Sequence, residues 1–514
     1  MTRTSSIGKT KEKYNFDDAL TLTGFGLYNV YLFLTIGGFL MCVIIETMSM
    51  MFIVPAAKCD LDLSLFQQGL LSSISFFGVV SFSYIWGFLA DTRGRLGILK
   101  ISLFTSFITS SLCSIVGTSW LFIVLRFING MCIGGASSTV YAYLGEFHND
   151  LLRPKIVSGV ATFVAFGNMY LPGMAWLILP HGWRMEIEML DLEFRPWRLL
   201  LIVYALPSLL FLLMLLILPE SPKFLMTQGK TNEVLEILKT MFRVNKGFDR
   251  EDFMVSEIIW DDMNVAPSNN ILKMIWRQSA PILRSPLRIK TFAVSLLQFG
   301  IFASTSGMIM WYPTILNTMS HFVEVRPNDD LTFCKSIQWE QAQKNVTSLN
   351  QHVFKECNDF VKTEVFIILL VIGMVYAIMY ICIGLLINVI GKKNLLCTFI
   401  TLGTISGLLS QYIVGYQLIQ SLIGIFIIGG VEVAIVNAIV VDLFPTQVRA
   451  MALAMSLMFG RLGAMVGTNI VGPVIYKYCD YLFYMFAADH IILLLTVFLL
   501  PSNLPLQKMM DNEA

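Results

Sequence analysis

The stretch GFLADTRGRLG, residues 87–97, lies between two long apolar segments and decides how the rest of the chain is interpreted. The segment before it reads GLLSSISFFGVVSFSYIW, and the segment after it reads ILKISLFTSFITSSLCSIVG. A helix of about 20 apolar residues crosses the hydrocarbon core of a membrane, and each flanking segment is close to that length. Asp91, Arg93 and Arg95 are therefore predicted to lie in a tight connection between two membrane-spanning helices.

The composition extends this interpretation to the whole chain. Of its 514 residues, 56% are hydrophobic and only 14% are charged, and the mean hydropathy is +0.69. Soluble proteins carry about 25% charged residues, so the deficit predicts a polytopic protein embedded in the lipid bilayer. The 36 basic and 35 acidic residues nearly cancel, which gives no reason to expect a nucleic-acid partner. The polar and basic N-terminus does not have the pattern of a cleavable signal peptide.

Apolar runs recur along the chain and predict an all-α membrane protein with twelve transmembrane helices in two six-helix halves. A polar central stretch separates the halves, and its apolar residues recur at helical spacing, which predicts short amphipathic helices there. The runs lie near 30–54, 67–90, 98–119, 120–144, 156–179, 198–218, 291–314, 363–388, 394–415, 418–440, 450–475 and 481–501. The expected domains are an N-terminal segment 1–29, a first half 30–218, the central stretch 219–290, a second half 291–501 that includes a polar loop 315–362, and a tail 502–514.

The short loops predict how the helices are oriented in the membrane. Basic residues concentrate in the loops that stay in the cytoplasm. In this chain, the short loops rich in basic residues all fall on the same side of the predicted membrane. That side also carries both termini and the central stretch, so these are expected to be cytoplasmic. The residues that decide this are Arg93, Arg95, Lys100, Arg153, Lys155, Lys392 and Lys393.

The polar loop 315–362 is then expected to be extracellular or luminal, where glycosylation and disulfides form. It contains the acceptor sequence NVT at Asn345, which predicts a glycan. Cys334 and Cys357 lie in the same loop and are predicted to form a disulfide, with Cys59 as an alternative partner.

The two halves also resemble one another in sequence. GFLADTRGR from Gly87 corresponds to GLLINVIGKK from Gly384, an offset of 297 residues. Glu146 precedes Arg153 by seven residues in one half, as Asp442 precedes Arg449 in the other. The pair of glycines in CIGGA has a counterpart in IIGGV at nearly the same offset. Matches at a near-constant offset indicate an internal duplication of parallel repeats.

These motifs resemble the major facilitator superfamily, and the resemblance covers nearly the whole chain. The tight loop after spans two and eight, LRFINGMCIGG in span four, LPESPKFL after span six and DLFPTQVR after span ten are similar to its sugar-porter and organic-ion branches. Within it, the chain resembles the synaptic vesicle glycoprotein 2 and related-protein family. The stretches that carry this closer resemblance are YNFDDALTLTGFG, VPAAKC, GMAWLILPHGW, PWRLLLIVYALPS and MWYPTI.

The resemblance implies a cytoplasmic gate that holds the inner side closed. Asp91 is expected to face the positive end of a helix in the other half, and Arg95 to pair with an acid at the inner end of span four. Asn388 stands where the second half would carry an acid, which predicts an asymmetric gate. The alternative is that these charges only follow the rule for cytoplasmic loops. The expected gate residues are Gly87, Asp91, Gly94, Arg95, Glu146, Arg153, Asp442 and Arg449.

Charged residues inside the spans are candidates for substrate binding or proton coupling, because each costs about 2.5–3.5 kcal/mol to insert. Glu46 and Arg126 lie at similar depth in spans that are neighbours in the superfamily, so we expect them to pair. That pair is a candidate for proton coupling, or else a static link between spans one and four. Glu432 and Arg461 are expected to pair in the same way, with a site role as the alternative. Asp489, in span twelve, is a candidate with packing as its alternative.

Three further candidates depend on the resemblance. Trp176 and Trp311 match positions where the family pocket carries tryptophans, although aromatic residues near span ends also form interfacial belts. Gln298 lies at the kind of position where sugar porters bind hydroxyl groups. Span ten, 418–440, contains no tryptophan, unlike family members with a drug-binding pocket.

The sequence therefore predicts a transporter that moves a small organic solute, a sugar or an organic ion, by alternating access. The coupling ion, a proton or sodium, stays open, as does the choice between plasma and vesicle membrane. The transport unit is expected to be a monomer. The alternative is a vesicle-glycoprotein-like protein that regulates secretion without substantial transport. The sequence has no phosphate-binding glycine loop, metal-ligand cluster or nucleophile elbow, so we expect neither an enzyme nor a cofactor.

Overall fold

The computed structural model describes residues 12–160, 162–188, 192–259, 280–349 and 360–500. It contains 12 helices long and apolar enough to cross a membrane, which confirms the predicted fold class. The predicted tail 502–514 lies outside the described residues. Spans 1 to 6 are Leu27–Met48 with Met50–Ala57, Leu65–Arg93, Arg95–Cys113, Ser119–Glu146, Arg153–Gly159 with Thr162–Ile178, and Pro196–Leu215. Spans 7 to 12 are Leu287–Val325, Thr363–Ile390, Lys392–Tyr412, Tyr416–Ile428 with Glu432–Leu443, Thr446–Lys477, and Leu482–Leu499.

Shorter elements lie outside the spans. The helix Thr231–Lys246 is the amphipathic one that the central stretch predicts, and it buries Val234 and Leu238. The N-terminal helix Phe16–Thr23 packs against it. In the described ranges, the other short helices are Pro222–Thr227 and Phe333–Leu349, with 3₁₀ segments at Arg250–Asp252, Gly429–Val431 and Cys479–Tyr481. The strands are β1 (Glu12–Asn15), parallel to β4 (Val255–Ile259), and β2 (Met185–Ile187), antiparallel to β3 (Leu192–Phe194).

Two glycines shape the tight turns that follow spans 2 and 8. Gly94 and Gly391, which are 297 residues apart in sequence, both have a positive φ, 97° and 88°. Only glycine adopts such a backbone without strain, so the same turn is built at the same place in both halves. The duplication seen in the sequence is therefore present in the backbone.

The helix ends define two sides of the molecule. We call the end that carries these two turns the basic end, and the end that carries the helix Phe333–Leu349 the loop end. At the loop end one apolar cluster contains residues of both halves, and the rings of Phe52 and Phe366 lie 6.1 Å apart across the junction. At the basic end the described residues form two separate apolar clusters, one in each half.

Contacts between the halves follow the same division. Span 2 packs against span 11, and span 5 packs against span 8. Near the loop end, Asn469 Nδ2 donates a hydrogen bond of 2.6 Å to Ser73 Oγ across the junction. The halves are therefore closed together at the loop end and have separate cores at the basic end.

Candidate functional site

At the basic end of the first half, Arg95 is the centre of an ionic cluster. Its guanidinium forms an ion pair with Glu146, as predicted, and a second, longer contact of 3.7 Å with Asp91. Ser221, just after span 6, donates a hydrogen bond to the Glu146 carboxylate. The Asp91 side chain is 51% exposed, so it retains a free face at the surface of the half. Its predicted contact with the other half remains a prediction.

Glu220 joins this cluster, and sequence reasoning missed it. Its Oε1 accepts hydrogen bonds from the backbone amides of Arg95, at 2.9 Å, and Leu96, at 3.0 Å. These amides begin span 3, where free N–H groups and the helix dipole favour a negative charge. Glu220 is visible in the sequence as the acid of LPESPKFL, directly after span 6. Its position in the sequence does not show which helix N-terminus its carboxylate would cap.

The second half has its own, simpler cluster. Lys392, the counterpart of Arg95, pairs with Asp442, the counterpart of Glu146, and donates to Ala438 O at 3.0 Å. Arg153 bonds locally, to Gly145 O at 2.9 Å. The predicted gate residues of the two halves thus form two separate clusters. For the remaining predicted gate residues, Gly87 has open space beside it, and Arg449 Nε is buried without a hydrogen-bond partner.

Deep in the first half, Arg126 and Glu46 form the predicted ion pair at 3.0 Å, and both are buried. Ser110 Oγ donates to Glu46 Oε2 at 2.5 Å, and Arg126 Nη2 donates to Ser49 Oγ at 3.0 Å. Asn129, which sequence reasoning missed, donates to Ser110 Oγ at 3.1 Å. Glu46 Oε1 is left buried without a hydrogen bond. The contact is confirmed, while its role in coupling stays a prediction.

The expected pairing of Glu432 with Arg461 is wrong. Among the described residues, Glu432 forms no ion pair, and its electrostatic neighbour is another acid, Asp489. The guanidinium of Arg461 instead lies within electrostatic reach of Tyr141 in the other half. The physical reason is that similar depth in the membrane does not decide which face of a helix carries each side chain.

The remaining candidates lie at different depths. Gln298 is fully buried, and its Nε2 donates to Asn437 Oδ1 at 2.8 Å. Trp311 is buried at the loop-end junction, where its Nε1 donates to Thr468 O at 2.9 Å. Trp176 is 41% exposed, so in this conformation it does not lie in a closed pocket. The three side chains do not meet in one site.

The predicted disulfide between Cys334 and Cys357 is wrong, because Cys334 is bonded to Cys479, with a Cα–Cα distance of 5.6 Å. The helix that begins beside Cys334 packs on the loop end of span 11, which places its first turn next to Cys479. Cys357 lies outside the described residues. Cys59 is also disulfide-bonded. Asn345 lies in the helix Phe333–Leu349, and its glycan stays a prediction.

Comparison with known proteins agrees with this geometry. Human synaptic vesicle glycoprotein 2B is 30% identical over 324 residues, 59% of this chain and 47% of that protein. Mouse synaptic vesicle glycoprotein 2C is 29% identical over 57% of this chain and 43% of that protein. The chain thus spans about half the length of the curated relatives it matches.

The inward-open xylose transporter XylE from E. coli superimposes with a TM-score of 0.63, over 92% of this chain and 95% of that one. At 15% identity this likeness shows the fold alone. Residues 34–324, more than half of the chain, match the family described as Major Facilitator Superfamily. With twelve spans in two repeated halves and the paired turns at Gly94 and Gly391, the chain belongs to the major facilitator superfamily and is similar to the synaptic vesicle glycoprotein 2 proteins.

Proposed function

We propose that the chain is a transporter that moves a small organic solute, a sugar or an organic ion, across a membrane by alternating access. The observation that carries this proposal is the unequal joining of the halves, with one shared apolar cluster at the loop end and two separate clusters at the basic end. Two rigid halves that meet at one end are able to rock and close at the other. With the basic end cytoplasmic, this conformation faces inward.

The ionic clusters at the basic end supply a gate in this proposal. Arg95 is held by Glu146 within its own half, and Asp91 remains half-exposed. When the basic ends approach, Asp91 is able to face the N-terminus of span 11 at Thr446, where the helix dipole favours an anion. That contact would hold the cytoplasmic side closed and would break as the halves separate.

The Glu46–Arg126 pair is the proposed element of proton coupling. A paired glutamate stays ionised, whereas an unpaired one in an apolar site tends to take up a proton. Movement that separates the pair would let Glu46 bind and release one proton per cycle. The fold neighbours include a D-xylose–proton symporter, which supports a small polar solute and a coupling proton.

The test is uptake into vesicles that contain the purified chain. Radiolabelled sugars, organic cations and organic anions are supplied with and without imposed proton and sodium gradients. Saturable uptake of one class above that of empty vesicles, reduced in an Asp91→Asn variant but not in an Asp480→Asn control at the exposed loop end, supports the proposal. Absence of uptake for every class by folded protein contradicts it.

A second candidate is a membrane protein that regulates vesicle secretion without substantial transport. The 30% identity to human synaptic vesicle glycoprotein 2B favours it. Loss of regulated secretion on depletion, restored by a variant that cannot transport, would favour this second function.

A further inference from the structure

Span 10 tightens into a 3₁₀ turn partway along its length. The helix Tyr416–Ile428 ends, a 3₁₀ segment covers Gly429–Val431, and a second helix begins at Glu432. We call this turn the break. Its backbone stays right-handed helical, and the Glu432 amide donates to the carbonyls of Gly429 and Gly430, the tighter bonding of a 3₁₀ turn. Tyr376 Oη, from span 8, donates to the Ile427 carbonyl at 2.6 Å.

Side-chain oxygens crowd this break. The hydroxyl of Tyr376 lies so close to Gly430 that any Cβ there would clash with it. Thr305 Oγ1, from span 7, lies 3.5 Å from the same Cβ position. Side-chain oxygens from spans 7 and 8 therefore lie beside the break.

Glu432 is the first residue after the break and is only 2% exposed. Within the described residues, its carboxylate has neither a hydrogen bond nor an ion pair, although an isolated buried charge is strongly unfavourable.

A second carboxylate lies nearby. Asp489, from span 12, is near enough to Glu432 for the two carboxylates to repel one another. Its Oδ2 is buried without a hydrogen bond. Its Oδ1 lies 2.9 Å from the position that a Cβ would occupy at Gly300, so the glycine lets the carboxylate approach span 7 closely. The stretch of span 7 from Gly300 to Thr305 thus lies against both the second carboxylate and the break.

The other titratable groups around the break have contacts of their own. Tyr376 and Tyr380 lie on span 8, and the Tyr376 hydroxyl donates to Ile427 O. His490 Nδ1 lies 3.0 Å from Thr404 Oγ1, and its ring stacks on Phe426 at 5.5 Å. Arg461, on span 11, has Tyr141 as its electrostatic neighbour. None of these groups forms an ion pair with either carboxylate in the part of the chain that the structure describes.

We propose that Glu432 and Asp489, together with the oxygens at the break of span 10, form a site for one small monovalent cation, sodium or a proton. Two neighbouring carboxylates in an apolar site cannot both stay charged, so a cation must bind between them or a proton must be shared. Carboxylate, hydroxyl and carbonyl oxygens are the ligands that hard cations prefer. A part for this site in coupling, beside that of Glu46, rests on the proposed transport function, while cation binding itself does not.

The experiment measures binding directly on purified full-length protein in nanodiscs. Binding of ²²Na⁺ is titrated at constant ionic strength, and proton uptake is measured without sodium. Glu432→Gln and Asp489→Asn are the test variants. Glu364→Gln and Asp480→Asn, which remove exposed carboxylates at the loop end, are the matched controls. Size-exclusion profiles establish that each variant is folded.

We expect either saturable sodium binding, weakened about tenfold or more in both test variants, or one proton bound per molecule near neutral pH that both variants lose. The controls should behave as wild type. Wild-type protein that binds neither cation overturns the proposal, as do test variants that bind as wild type. If Glu432→Gln does not fold, Asp489→Asn decides alone. Because no solute is used, a failure here is distinct from a failure of transport.

Discussion

Arg126 Nη1 lies 3.0 Å from Glu46 Oε2, and the two side chains, on spans 4 and 1, are 0% and 1% exposed. The pair is supported on both sides, since Ser110 donates to the carboxylate and Arg126 also donates to Ser49 and to the Glu46 carbonyl. A buried pair of this kind is costly to break from one side, because the remaining charge is left without a partner.

We therefore expect Arg126→Ala to destabilise the protein by about 3–5 kcal/mol, the typical cost of stranding one buried charge. Glu46→Gln combined with Arg126→Gln should restore most of that stability, because no charge is then left unpaired. Thermal unfolding in detergent measures both variants, with Glu186→Gln on the exposed strand β2 as control. If the double variant keeps stability but loses pH-gradient-driven uptake, the pair has a coupling role. Full retention of gradient-driven uptake would leave it a static link.

At the basic end, Asp91→Asn should slow transport without unfolding the protein. Its side chain is half-exposed and its contact with Arg95 is long, so its contribution to stability is small, at about 0–1 kcal/mol. Its proposed partner is in the other half, so the variant should lower turnover more than it changes KM. Turnover at the wild-type rate, at equal protein amount in the vesicles, would remove Asp91 from the gate.

Glu220 is expected to stabilise the protein by capping the N-terminus of span 3. Glu220→Ala removes the acceptor for the amides of Arg95 and Leu96, and loss of such a cap costs about 0.5–2 kcal/mol. Glu233→Ala, on the exposed face of the helix Thr231–Lys246, is the matched control. Equal unfolding temperatures for the two variants would contradict the capping role.

The disulfides are tested by peptide mapping without reduction. We expect a peptide that joins Cys334 to Cys479, and a Cys479→Ser variant should leave Cys334 open to an impermeant maleimide. Cys59 is also disulfide-bonded, so it should not react with the maleimide before reduction. A peptide joining Cys334 to Cys357 would contradict the Cys334–Cys479 pairing.

Sequence reasoning predicted best where a local rule is sufficient. Span length and apolar composition predict the twelve helices, and the repeated glycine turns are visible at Gly94 and Gly391 because only glycine suits their backbone. Partners distant in sequence were harder. Cys334 bonds a cysteine 145 residues away, and that proximity depends on how a loop helix packs on span 11. Glu432 was assigned the wrong partner because an apolar run shows the depth of a residue but not the face of the helix that carries it.

A last prediction concerns pH and His148, which follows span 4 at the basic end. Burial lowers the pKa of its imidazole below the usual range, although the bond to Leu144 opposes this. His148 Nδ1 lies 2.8 Å from Leu144 O, and its Nε2 lies 3.1 Å from Asn29 Nδ2. With Nδ1 as the donor, Nε2 accepts from the amide of Asn29, and this arrangement requires the neutral ring.

The sign of the effect follows from proton linkage. A group with a lowered pKa in the folded state binds fewer protons there than in the unfolded chain, so stability falls as the pH falls. The stabilisation is present above about pH 6.5, the usual histidine value, and is lost as the pH drops towards the lowered folded value. We expect the unfolding temperature of wild type to fall between pH 7.5 and 5.5 more steeply than that of His148→Gln. His181→Gln, at an exposed position near the loop end, should keep the wild-type slope. Parallel pH profiles for wild type and His148→Gln would mean that the charged imidazole is tolerated at this site.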